Sequence, residues 1–137
     1  MKFYSIHGKL VTVNVSKYRV DWQRKVSAPQ FAAKSFLFPY WRNDIVLEEL
    51  RIPGSLFRID LVNLSKKVII EISPRSLHVN YNKFMHRNRA GYLKKIKSDA
   101  EKLKWAEKSG FKFVEFYDED LANLSPEYLK EKFDLDL

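Results

Sequence analysis

The sequence contains no cysteine, which excludes disulfides and thiolate-bound metals and fits a reducing intracellular compartment. It also lacks an apolar run long enough to span a bilayer and a signal-peptide pattern behind Met1, so a soluble intracellular protein is expected. Repeats, low-complexity tracts and composition shifts that would mark a domain boundary are missing too. Acidic residues are in deficit: 17 Asp and Glu stand against 25 Lys and Arg, giving a formal net charge of +8. That excess makes a polyanion the first partner class to consider, nucleic acid above all.

What is present is enough for one domain: 137 residues, 45% of them hydrophobic, can bury a core. Met1–Val15 alternates on both sides of His7-Gly8 and predicts a small hairpin. Basic residues interleave with Tyr18 and Trp22 across Ser16–Lys25, a pattern that suits either a phosphate backbone with stacked bases or a linker whose aromatics tuck into the core. Ala28–Phe38 reads as a helix. Its expected apolar side is Phe31, Ala32, Ser35, Leu37 and Phe38, with Gln30 and Lys34 on the polar side and Pro39 as the stop. Gly91–Lys108 is the clearest helix, with Leu93, Ile96, Ala100 and Leu103 in one stripe and Gly110 behind it. Phe111–Phe116 alternates as a strand, and a short helical pattern follows Ser125-Pro126.

The organising stretch is Ile45–His78. Three short strands are expected there: Ile45–Ile52 up to the Pro53-Gly54 turn, Leu56–Val62, and the apolar run Val68–Ile72. Two of them carry a carboxylate among apolar neighbours, Asp60 between Ile59 and Leu61, and Glu71 between Ile70 and Ile72. A carboxylate in such a setting loses hydration and needs a cation, a donor or a proton. Alternation puts Arg58, Asp60 and Val62 on one face of their strand and Ile69, Glu71 and Ser73 on one face of the next. If the faces coincide, the two carboxylates converge, and their hard oxygens suit Mg²⁺. The simpler alternative is that Asp60 pairs with Arg58 or a nearby lysine and that Glu71 is exposed on an edge strand.

Asp60 and Glu71, eleven residues apart across one turn, resemble the core of the PD-(D/E)xK nucleases, in which a strand aspartate and a next-strand glutamate hold the metal. The usual ExK lysine is replaced by Ser73, and Ile59 stands where a proline is usual. His78 follows, and the long helix places Asp99 and Lys102 one turn apart ahead of Gly110 and the strand FKFVEF. That order is similar to the very-short-patch-repair endonucleases and to phage homing endonucleases of the EDxHD type, over roughly Tyr18 to Leu121.

The resemblance implies an α/β, restriction-endonuclease-like core: a central mixed sheet containing an antiparallel three-strand meander, flanked by helices. The single nuclease domain would divide into an N-terminal extension (residues 1–25), a catalytic core (26–121) and a C-terminal tail (122–137). On the same ground the catalytic set is Glu49 (or Glu48), Asp60, Glu71, His78, Asp99 and Lys102, with Asp60 and Glu71 as ligands of Mg²⁺. A histidine titrating near neutral pH suits removal of a proton from the attacking water. Asp99 would orient His78 or reach a second metal. Phosphate contacts are expected from Lys83, Arg87 and Arg89, and from Lys94 and Lys95 on the helix. The implied activity is metal-dependent cleavage of double-stranded DNA by a free-standing homing endonuclease, in a host cytoplasm if phage-encoded. A DNA-binding protein on a nuclease fold that does not cut, and a basic RNA-binding protein, are the alternatives. A homodimer would supply a second active site and a longer read of the DNA, with Phe36, Phe38, Tyr40, Trp41 and the Tyr117–Leu137 tail as possible contacts.

Overall fold

The computed structural model describes residues 1–73 and 89–137, and the side chains of 1–73 and 97–137. A two-stranded hairpin, β1 (Lys2–Tyr4) and β2 (Leu10–Thr12), is followed by a 3-10 turn at Val15–Tyr18 and by helix α1 (Ala28–Trp41). Strands β3 (Val46–Arg51), β4 (Arg58–Asn63) and β5 (Val68–Ile72) form an antiparallel meander. Helix α2 (Arg89–Lys108) then leads to β6 (Lys112–Phe116), which lies parallel to β5, and α3 (Asp118–Leu121) and α4 (Pro126–Phe133) close the chain. The sheet order is β3-β4-β5-β6, an α/β arrangement with a mixed sheet. No helix among the described residues is long and apolar enough to cross a membrane.

Local sequence explains the turns. Gly54 at φ 80° permits the β3–β4 turn and Gly110 at φ 78° ends α2, conformations that a side chain disfavours. Ser27 accepts the Gln30 N–H and starts α1, with Pro29 in its first turn where no N–H is needed.

Each face of the sheet carries its own core. Leu47, Leu50, Ile59, Val62 and Ile69 pack with Trp105, Ala106 and Phe111 under α2, and Phe3 of the hairpin joins them. The Trp105 indole N–H donates to the Tyr4 carbonyl at 2.7 Å, and its ring stacks on Phe111. Phe3 of the N-terminal segment is therefore buried in this core. The opposite face packs Val46, Leu61, Val68, Ile70, Val114 and Phe116 against Ala33, Leu37 and Trp41 of α1 and Leu129 and Leu135 of the tail.

Several expectations are corrected. Helix α1 runs through Pro39 to Trp41: the proline sits in the last turn, where few helical bonds remain to be lost, and burial of Trp41 favours the extension. Its buried stripe is Gln30, Ala33, Lys34, Leu37 and Trp41, whereas Ala32, Ser35 and Phe38 face outward; Leu37 is buried as expected, but Gln30 and Lys34 have changed sides with Ala32, Ser35 and Phe38. On α2 likewise, Ala100 and Leu103 are exposed while Trp105 and Ala106 are buried and Asp99 and Lys102 are half-buried. Trp41, Leu129 and Leu135 are buried in the core, and Leu121, Leu124 and Leu137 are half-buried against it. The tail is further fixed by Asp120, fully buried. It accepts hydrogen bonds from the Tyr117 N–H at 2.8 Å, the Tyr128 hydroxyl at 2.6 Å and the Lys132 ammonium. Burial would raise the Asp120 pKa, but its bonds to Lys132 and Tyr128 hold it below the usual range.

Candidate functional site

Strands β4 and β5 pair through Asn63–Val68, Val62–Ile69 and Leu61–Ile70, and the ladder stops there. The next two residues outward are Asp60 and Glu71. Instead of a backbone pair, the Asp60 N–H donates to Glu71 Oε1 at 2.9 Å and the Ile72 N–H donates to Asp60 Oδ2 at 2.9 Å. Each carboxylate thus takes an N–H of the opposite strand, and the strands fork around two acids. On its other side β5 stays paired with β6 as far as Ile72–Phe116, so the opening lies between β4 and β5 alone.

A kink helps to build this fork. Glu49 lies between the pairs Glu48–Leu61 and Leu50–Ile59, which sets it opposite Asp60. It adopts φ 53°, a left-handed conformation costing about 1–3 kcal/mol for a residue with a side chain. In a regular strand, residues three apart point to opposite faces. Here Leu47 and Leu50 reach one core, as do Ile59 and Val62 on the neighbouring strand. The strict alternation expected for Arg58, Asp60 and Val62 is accordingly broken at Asp60.

Glu71 is buried, on the face of β5 that also carries Ile69. Lys102 reaches it from α2, Nζ to Oε2 at 3.3 Å. Burial pushes the Glu71 pKa up to about 7 and the charge of Asp60 adds to the rise, while Lys102 and the Asp60 N–H oppose it. The ion pair and the raised pKa point opposite ways. One lysine at 3.3 Å is a loose contact, whereas desolvation acts on the whole carboxylate, so we take the group to titrate near neutrality. Glu115 is the parallel partner of Glu71, and its carboxylate accepts the Ser73 hydroxyl at 2.6 Å. The serine that stands in place of the ExK lysine is thus engaged with a neighbouring acid.

The structure brings Asp60, Glu71 and Lys102 together and holds Asp99 half-buried one helical turn before Lys102. Glu49 stands beside them in β3. Glu48 points to the other face, where the Lys34 ammonium at 2.7 Å, Arg24 at 3.2 Å and the Asp21 N–H at 3.0 Å engage it. His78, Lys83 and Arg87 lie outside the described residues. Arg89, Lys94 and Lys95 fall on α2, with side chains outside the described residues. The Lys34–Glu48 pair was missed by sequence reasoning; its signal was a lysine on a helix stripe shared with Gln30, Ala33, Leu37 and Trp41.

Among the described residues no group of three or more His, Asp or Glu converges as a metal cage. Two carboxylates at one fork are nonetheless an adequate donor set for Mg²⁺, which keeps several waters and takes only one or two protein carboxylates alongside phosphate oxygens. The Glu71 pKa, raised mainly by burial and further by Asp60, fits the same reading, because a cation in the fork would favour the ionised carboxylate and relieve the repulsion that Asp60 adds. Comparison with protein-family models, with curated proteins and with solved structures returns no match.

Proposed function

We propose that the protein is a Mg²⁺-dependent endonuclease of double-stranded DNA with a restriction-endonuclease-like core, acting as a free-standing homing enzyme. The observation that carries this is the meeting of Asp60, Glu71 and Lys102 where β4 and β5 fork. The sequence lacks a lysine two residues after Glu71, and α2 supplies one at Glu71 instead. When bound, Mg²⁺ supplies Lewis-acid neutralisation of the charge that builds on the reacting phosphate.

Asp60 and Glu71 would hold the cation, and the backbone N–H groups on Oδ2 and Oε1 orient both carboxylates. Lys102, whose ammonium lies 3.3 Å from Glu71 Oε2, would present its charge to a phosphate oxygen. Its position on a helix anchored by Trp105 and Ala106 keeps that ammonium in place. Removal of the water proton falls to His78, the histidine of the resemblance, whose side-chain type suits that role near neutral pH.

A plasmid-nicking assay tests the proposal. Supercoiled DNA should be cut with Mg²⁺, spared with EDTA, and cut at least about 10²-fold more slowly by Asp60→Ala and by Lys102→Ala. Both variants should bind DNA near wild-type affinity. Tight binding without nicking under every divalent cation tried would instead identify a DNA-binding protein that does not cut.

A further inference from the structure

Strand β3 is an edge of the four-stranded sheet. Its outer side meets the N-terminal segment, where the Val20 N–H donates to the Val46 carbonyl at 3.0 Å and Arg19 bridges to Leu47. A groove of about 350 Å³ opens at this junction, with Lys17, Tyr18, Arg19, Arg24, Arg51 and Arg58 in its walls. The same walls hold Asp21, Glu48 and Glu49. Glu48 is already neutralised from within by Lys34, whose side chain is fully buried. Among the described residues, Arg24 alone of the groove's cations is in an ion pair, with Glu48. The groove therefore keeps an excess of positive charge for an outside partner.

Its position matters as much as its charge. A second hollow of about 470 Å³ shares Lys17, Tyr18 and Arg51 and runs to the Pro53–Leu56 turn. Toward the other end, Arg58 precedes Asp60 by two strand residues, roughly 7 Å, and Glu49 in the groove wall stands opposite Asp60. The two hollows give a cationic surface from the β3–β4 turn to Arg58 and Glu49, the neighbours of Asp60 along and across the strands.

We infer that this groove is a phosphate-backbone track, in which one strand of duplex DNA lays successive phosphates on Lys17, Arg19, Arg51 and Arg58 and is led toward Asp60. The placement toward Asp60 rests on the nuclease reading; the affinity of the track does not. Cations drawn from three separate stretches and spread along a path suit a polymer of phosphates better than a single anion, which would call for convergent donors. Arginines predominate, and their forked guanidinium groups pair with phosphate through two parallel bonds.

The test is binding of a labelled duplex by anisotropy at increasing KCl, with EDTA present so that nothing is cut. Arg19→Ala, Arg51→Ala and Arg58→Ala should each lower the slope of log affinity against log salt by about one, and the triple variant by about three. Arg51→Lys should keep the slope, and so should Lys130→Ala on α4. All of these side chains are exposed, so melting temperatures should stay at the wild-type value, which circular dichroism verifies. A triple variant with the wild-type slope overturns the track and leaves the nuclease reading standing. Loss of slope in a protein that never nicks keeps the track and removes the nuclease reading. Wild-type protein that ignores duplex, or releases it to inorganic phosphate at the same phosphate concentration, also overturns the track.

Discussion

Glu48 and Glu71 are both buried in the sheet, at 3% and 8% exposure, yet they are treated in opposite ways. Glu48, on the α1 face, has two cations and a backbone N–H around it. Glu71, on the α2 face, shares its site with a second acid and has one lysine at 3.3 Å. A buried carboxylate that is saturated with donors locks a fold, because removing a partner strands a charge. A buried carboxylate placed beside another acid is held ready for a cation or a proton, and perturbation of this kind marks functional sites. The pair of residues shows that burial alone does not distinguish the two roles; the company of each carboxylate does.

The comparison can be broken most severely at Lys34. Lys34→Ala should cost about 3–5 kcal/mol, since Glu48 is left buried without its main partner. Chemical denaturation should register this as a lower midpoint at unchanged slope. The double replacement Lys34→Met with Glu48→Leu should recover most of the loss, and failure to recover would mean that Glu48 does more than balance a lysine.

A smaller effect is expected from pH at the other carboxylate. Glu71 has a folded pKa of about 7 against a reference of 4.5, so between those values the folded state binds more protons than the unfolded one. Its contribution to stability is therefore fully present below about pH 4.5 and is lost as pH rises through 7, by about 3 kcal/mol in all. Glu71→Gln should flatten this part of the profile. Mg²⁺ added above pH 7 should restore stability to wild type and leave the variant unmoved. A wild-type profile that is flat from pH 4 to 8 once other groups are allowed for would show that Lys102 already neutralises the acid.

The smallest effect sharpens the same contrast. Arg24 also touches Glu48, but half of its side chain is in solvent, so Arg24→Ala should cost less than about 1 kcal/mol. Measured beside Lys34→Ala, it separates the buried from the exposed partner of one carboxylate.

Much of the sheet was legible. Val68–Ile72 and Lys112–Phe116 are strands at the expected residues, and Pro53-Gly54 turns the chain between β3 and β4. The meeting of Asp60 and Glu71 was legible as well, because a single short turn joins their strands and fixes which residues face each other. The helix faces were not. Hydropathy grades Lys34 and Lys102 by type, whereas each turns inward because a particular glutamate waits on the sheet, at Glu48 and Glu71. The kink at Glu49 was equally hidden, since nothing in its neighbours demands a left-handed backbone. Pro39 misled for a related reason: its cost depends on how many helical bonds follow it, and the burial of Trp41 decides where the helix ends.

The parallel pairing of β5 with β6 carries a consequence for the order of assembly. Ile72 and Lys112 are separated by roughly 40 residues, so joining these strands closes a long loop, while β3, β4 and β5 are linked by short turns and meet at little entropic cost. The meander should form early, with Asp60 and Glu71 already facing each other, and α2 should arrive with Lys102 afterwards. During that interval Glu71 lies beside Asp60 before Lys102 reaches it. Divalent cations in the refolding buffer should then speed the early phase, acting on the nascent meander before the helix docks.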